Sequence, residues 1–160
     1  EINVSENQIA FMMDNFLFVS RLVQGQFPDY KQVLPKESDY SFVLSRKDLL
    51  DASERASIIA MESNNVTRLS FSADSVDIKS NAVNLGEFEE SVDVRREVGG
   101  DDVKIAFNVK LVIDALKNLD MDDIQLQFNS ELSPCIVRSV NNDSFTYIIM
   151  PIRTSDFQSV

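Results

Sequence analysis

The feature that most constrains this chain is an internal repeat. "RLSFSADSVDIKS" (68–80) lies over "QLQFNSELSPCIVRS" (125–139) with the same Leu-x-Phe and the same basic–Ser ending. Each copy is embedded in the same order of signals. In the first, "YSFVLS" (40–45) alternates like a strand, and Ser45 is placed to cap a helix, with Asp48 three residues on. Leu49, Ala52, Ala56 and Ile59 then recur at helical spacing to about Met61. "TRLSFS" (67–72), "VDIKS" (76–80) and "EFEESVDV" (87–94) follow as strands, the last with Phe88, Val92 and Val94 on one face. In the second copy, after Gly99–Gly100, "VKIAF" (103–107) reads as a strand and Asn108 as an N-cap. "VKLVIDALKNL" (109–119) reads as a helix with Leu111, Val112, Ala115, Leu116 and Leu119 inward. "IQLQF" (124–128), "CIVRSV" (135–140) and "FTYIIM" (145–150) close the copy as three strands.

One such unit leaves a helix face and a sheet face uncovered, so the two, 36–98 and 101–153, must pack on each other. The expected fold is α+β with pseudo-twofold symmetry: two helices side by side against two antiparallel sheets. Ahead of it, "QIAFMM" (8–13) and "FLFVSRL" (16–22) flank Asp14–Asn15 as a hairpin, and Gly25, Pro28 and Pro35 mark a linker. The expected division is therefore 1–30, the end of another domain, and 31–160. The opening "EINVSENQ" begins in strand-like alternation without an initiator methionine, so the chain is expected to be a fragment.

Composition narrows the chemistry. The 160 residues are 44% apolar, an ordinary length and content for one domain with a core, and 15 basic against 26 acidic residues give a net charge of −11. That balance disfavours gripping nucleic acid by bulk charge and leaves only local basic patches. Histidine is absent, which removes the commonest general base, the common zinc ligand and every serine–histidine arrangement. The four glycines form no phosphate-cradling loop. Asp101–Asp102 and Asp122–Asp123 stand at strand starts, where solvated turn charges are the default. No catalytic residue, metal or cofactor is expected. The single cysteine, Cys135, excludes an internal disulfide, and its place in "PCIVRSV" reads as a buried structural thiol in a reducing compartment. No apolar run approaches the ~18–20 residues of a membrane span, and no basic-then-apolar leader is present, so a cytoplasmic location is expected.

Three surface features remain. Lys110 and Lys117 are two turns apart, ~10.5 Å along a helix axis, opposite the apolar stripe, where they form either a basic line or an ordinary solvated face. Ile58 lies beside Ile59 and off the stripe, so one of the pair should be exposed, as single apolar residues often are or as part of a contact surface. "FTYIIMPIRT" (145–154) runs a strand into Pro151, which cannot donate to a ladder, and then into a lone arginine; this ending suits something lying across the strand.

Taken together, "SRLVQGQFPDYKQVLP", "IAFNVKLVIDALKNL" and "YIIMPIRT" resemble the bacterial sliding-clamp family, the beta subunit of the replicative DNA polymerase. The resemblance runs from about Ser5 to Arg153 and covers the end of the clamp's middle domain and its whole C-terminal domain. It implies the DNA-clamp fold and a non-enzymatic processivity factor: a head-to-tail ring of two protomers with helices lining a hole, through which duplex DNA passes without being read in sequence. On this resemblance Lys110, Lys117 and Lys47 face DNA. A hydrophobic pocket would take linear peptides of the polymerase, the clamp loader and repair and mismatch-repair proteins. It carries over to Pro28, Val33, Asn108, Leu111, Leu132, Pro134, Ile148, Met150, Pro151, Ile152 and Arg153. The contact with a second protomer carries over to Ile58 and Ile59 and to Glu87, Glu89 and Glu90, although alternating acids on a strand also serve simply to protect an edge. Residues 155–160 extend past the usual end. The alternative is a stand-alone peptide-binding scaffold of the same fold that does not encircle DNA.

Overall fold

Ser45 and Asn108 each end a strand and start a helix. Both hold extended backbone, and their side-chain oxygens accept the amides of Asp48 (3.2 Å) and Lys110 (3.1 Å), satisfying helix N–H groups that have no partner within the helix. These caps sit at the same place in the two repeats. The computed structural model describes residues 1–25, 29, 34–35, 37–140 and 145–154. The chain forms two units, Glu1–Gln32 and Val33–Val160.

The smaller unit is an antiparallel sheet of β1 (Ile2–Val4), β2 (Gln8–Met13) and β3 (Phe16–Arg21) in that order. Met13 pairs with Phe16 around a turn in which Asp14 takes φ +37°. Met12, Met13, Phe16, Leu17, Phe18 and Val19 are all exposed, so both faces of this hairpin are apolar and open.

The larger unit contains β4 (Tyr40–Ser45), α1 (Arg46–Ala60) with a 3-10 turn at Met61–Ser63, β5 (Val66–Phe71), β6 (Ser75–Ala82) and β7 (Gly86–Val98). The second repeat supplies β8 (Val103–Asn108), α2 (Val109–Lys117), β9 (Asp123–Phe128), β10 (Cys135–Ser139) and β11 (Thr146–Ile149). Two antiparallel sheets, β11-β10-β9-β4 and β7-β6-β5-β8, are joined where β4 meets β7. Strands cross between repeats: β4 of the first pairs with β9 of the second (Tyr40↔Phe128), and β8 of the second pairs with β5 of the first (Val103↔Phe71). The join is made by the 13 residues of β7, which pair with β6 over Gly86–Asp93 and with β4 over Val94–Val98. Its counterpart β11 has four residues and, among the described residues, no such second partner. Among the described residues, a main-chain bond crosses that seam from the Ile152 amide to the Ala106 carbonyl of β8, 2.7 Å.

The repeat signal returns in the core. Phe71 and Phe128, the phenylalanines of the two Leu-x-Phe segments, are buried with ring centroids 5.7 Å apart, and Phe42 stacks on Phe71 at 4.3 Å. Each buried ring contributes roughly 1.5–3 kcal/mol. α1 buries Leu49, Ala52, Ser53, Ala56 and Ala60, and its small side chains let α2 lie against it, with Ala60 meeting Val109 and Ile113. Arg46 ties the helix ends together: its Nε donates to the Met121 carbonyl (2.7 Å) and its Nη1 to the Leu116 carbonyl (3.2 Å), a cation at the C-terminus of α2.

Two expectations of the helix stripes are corrected. Leu111, expected inward, is half-exposed, and Ile113 takes a buried place instead. The run Leu111-Val112-Ile113 spans too wide an arc for all three to face one side, and Val112 and Ile113 lie nearer the direction of Leu116. On α1, Ile59 is only partly buried and Ala60 completes the stripe.

Candidate functional site

The seam between β11 and β8 gathers most of the residues expected to form a peptide pocket. Cys135 pairs with Ile149, and the same register extended by one residue sets Pro134 opposite Met150. Neither Pro134 nor Pro151 has an amide hydrogen, so the β10–β11 ladder ends here. Alternation then divides β11: Ile149 enters the core with Cys135, Val112 and Leu116, while Ile148 and Met150 take the other face, Met150 55% exposed. Leu132 is exposed in a turn held by Ser133 Oγ, which accepts the amides of Asn129 (2.9 Å) and Ser130 (2.8 Å). The cap made by Asn108 sets the first turn of α2, on which Leu111 stands 50% exposed beside buried Val112. Ile152 is fixed to β8 by the bond to Ala106.

An apolar rim of Leu111, Leu132, Pro134, Ile148, Met150 and Ile152 thus borders a filled core. The space among Val112, Leu116, Cys135 and Ile149 is about 10 Å³, at the lower limit for one water, so a ligand must lie on the rim and not in a cavity beneath it. Asn108 spends its Oδ1 on the cap, which leaves its Nδ2 available as a donor, and Arg153 is exposed. Such a surface can desolvate apolar side chains and orient polar ones. Pro28 and Val33 lie outside the described residues.

The residues expected at a protomer contact are placed at the C-terminal end of α1. Ile58 is 64% exposed and Ile59 half-buried. Met61, Val83 and Leu85 are also exposed, and Asn84 Nδ2 donates to Glu62 Oε2 (3.4 Å), bringing the β6–β7 turn to the end of α1. The sequence reading missed these three because none falls on a helical stripe or strand face; apolar residues in a turn were the available signal. The three glutamates divide between two faces of β7. Glu87 and Glu89 share one, where Glu89 pairs with Lys79 at 2.7 Å. Glu90 faces α1 and pairs with Arg55, whose hydrogen bonds hold the Glu90 carboxyl below the usual carboxylate range.

Lys47, Lys110 and Lys117 are all exposed. Lys117 reaches across to α1 and pairs with Glu54 at 2.7 Å, so the basic line is partly neutralised. Of the acidic pairs, Asp102 is taken up by Arg96 at 3.0 Å. Among the described residues no group of three or more Cys, Asp or Glu is arranged to hold a metal. Cys135 is buried, and burial pushes its thiol up to about 12. No described helix is long and apolar enough to cross a membrane.

Comparison with known proteins gives the same architecture. Residues 31–153 match the family described as DNA polymerase III beta subunit, C-terminal domain. The chain is 35% identical over 156 residues to the beta sliding clamp of Bacillus subtilis strain 168 and 36% identical over 155 residues to that of Staphylococcus aureus strain Mu50. Each alignment takes in 96% of this chain and 41% of the relative, so the chain spans about two fifths of the length of these proteins. Among solved structures, the DNA polymerase III beta subunit of Thermotoga maritima superposes with a TM-score of 0.80 at 29% identity, covering 96% of this chain and 41% of that one. A sliding clamp from Bartonella birtlesii bound to griselimycin gives 0.81 at 27% identity with the same coverage. With the repeated strand–helix–three-strand unit, the paired helices and the match over 31–153, the chain belongs to the DNA polymerase III beta subunit family.

Proposed function

We propose that this chain serves as the partner-docking, ring-closing C-terminal part of a sliding clamp, a non-catalytic processivity factor in the cytoplasm. Residues 1–30 are then the end of a middle domain and 31–160 the C-terminal domain. The observation that carries the reading is the open seam of β11 and β8, where two prolines stop a ladder and leave an apolar rim with one asparagine and one arginine. Linear peptides of the polymerase, the clamp loader and repair proteins dock there. Ile58, Ile59, Met61, Val83 and Leu85, with Glu87 and Glu89 beside them, meet a second protomer, and Lys47, Lys110 and Lys117 face duplex DNA in the hole.

The test is fluorescence anisotropy with a labelled extended peptide carrying a glutamine and spaced leucine and phenylalanine anchors. Truncating a central anchor typically costs ~2 kcal/mol or more, roughly thirtyfold in affinity, so Met150→Ala should weaken binding by that order. Equal binding by the parent, Met150→Ala and Pro151→Ala, all folded, would reduce the seam to a strand end.

One observation favours the scaffold reading, in which the fold docks peptides without encircling DNA: Glu54 already occupies Lys117. Retention on a circular plasmid by the chain supplied with the remaining clamp domains, lost on linearisation, separates the two.

A further inference from the structure

We propose that Arg138 extends the docking rim and selects partner peptides that carry a carboxylate roughly two to three residues beyond an apolar anchor seated at Ile148. The proposal rests on the peptide-docking reading of the rim and adds to it a preference in peptide sequence.

The sheet register puts Arg138 beside the rim. On β10, Pro134, Ile136 and Arg138 alternate onto the face that Ile148 and Met150 share on β11. Arg138 pairs directly with Thr146, so Ile148 is its diagonal neighbour, about 7–8 Å away. An extended peptide advances about 3.3 Å per residue, so a side chain roughly two to three residues past an anchor at Ile148 reaches this position.

The guanidinium is held but unspent. Among the described residues Arg138 makes no hydrogen bond or ion pair, and of its nitrogens only Nε is enclosed, so the terminal pair reaches the surface. The neighbours on this face are engaged elsewhere. Gln125, directly opposite Arg138 on β9, donates through Nε2 to Ser41 Oγ at 2.9 Å and to Glu97 Oε2 at 3.2 Å, and Glu97 is also paired with Arg95 at 3.0 Å. Asp123, diagonal to Arg138, is exposed and forms no ion pair with it. A partly buried guanidinium with an open fork is suited to grip a carboxylate through two parallel hydrogen bonds. The net charge of −11 repels acidic segments in general, so a preference for one has to come from a local cation.

The experiment uses the chain as it stands and labelled peptides with the same glutamine, leucine and phenylalanine anchors, flanked on both sides at that distance by glutamate, glutamine or lysine. Anisotropy at low salt should rank them in that order from tightest to weakest. The glutamate peptide should lead the glutamine peptide by about fivefold, the upper range for an ion pair at a protein surface, and the lead should shrink as salt is raised. In Arg138→Gln these two peptides should bind alike, and Arg138→Lys, which keeps the charge and loses the fork, should recover part of the difference. Equal binding of all the peptides by the parent, or tighter binding of the lysine peptide, overturns the proposal and leaves the docking rim standing. A glutamate advantage that persists in Arg138→Gln assigns the carboxylate to another cation and overturns the proposal as well. Binding of none of the peptides removes the rim and the proposal together.

Discussion

Arg55 of α1 holds Glu90 of β7 with two hydrogen bonds, Nε to Oε2 at 2.8 Å and Nη2 to Oε1 at 2.5 Å. The pair ties α1 to the strand whose other face carries Glu87 and Glu89.

The Glu90 carboxyl lies below its ordinary range, mainly through the Arg55 hydrogen bonds. A lowered folded-state value contributes stability that is fully present above the unfolded pKa and is lost as pH falls through the folded one. The urea midpoint of the parent should therefore exceed that of Glu90→Gln near neutrality, and the gap should close on acidification. A gap that stays constant down to the acid limb would contradict the pairing.

Gly99 adopts φ +104°, and an added Cβ would lie 2.8 Å from Tyr40 Cδ1 and 3.1 Å from the Asp39 carbonyl. Gly86 is similar in φ, at +94°, but meets nothing. Gly86→Ala should cost about 1 kcal/mol of backbone strain and Gly99→Ala about 2–3 kcal/mol, because the latter adds a collision. Denaturant titration of both variants checks the difference.

Asn108 serves both the helix and the rim. Asn108→Asp keeps an oxygen for the Lys110 amide, so stability should stay near that of the parent, whereas Asn108→Ala should lose about 1 kcal/mol. Both variants lack the amide donor and should bind the probe peptide more weakly. Melting curves alongside anisotropy separate the two roles; full affinity in Asn108→Asp would show that the donor is unused.

Burial sets the Cys135 thiol at about 12, so at pH 8 only about one molecule in ten thousand carries a thiolate. Iodoacetamide should leave the native protein unmodified and label it at a rate that tracks unfolding as urea is raised. Rapid labelling without urea would place the thiol at the surface.

How much of this was legible follows from where each signal lives. The repeat made Phe71 and Phe128 equivalent positions, but that their rings meet depends on how the two halves pack and was not stated by the sequence. Ser45 and Asn108 were readable as caps because capping is local. Leu111 was misplaced inward because apolar character alone does not say which of three consecutive residues a helix turns outward. β7 was expected to stop at Val94; its last residues, Arg95 to Val98, show no apolar alternation and are held as strand by β4, some fifty residues earlier in the chain. The exposure of Met61, Val83 and Leu85 depends on which surfaces the rest of the chain leaves uncovered, which no local pattern records.

The crossing of β4 to β9 and of β8 to β5 has an evolutionary consequence. Each half donates its opening strand to the sheet of the other; β8 has no pairing within its own half, whereas β4 also pairs with β7 of its own. Two identical halves, by contrast, would complete each other by reciprocal exchange. Two copies of one unit could thus be joined through a short connection such as Gly99–Gly100 with the β4–β9 and β8–β5 pairings kept, the β4–β7 pairing being the feature the two halves do not share.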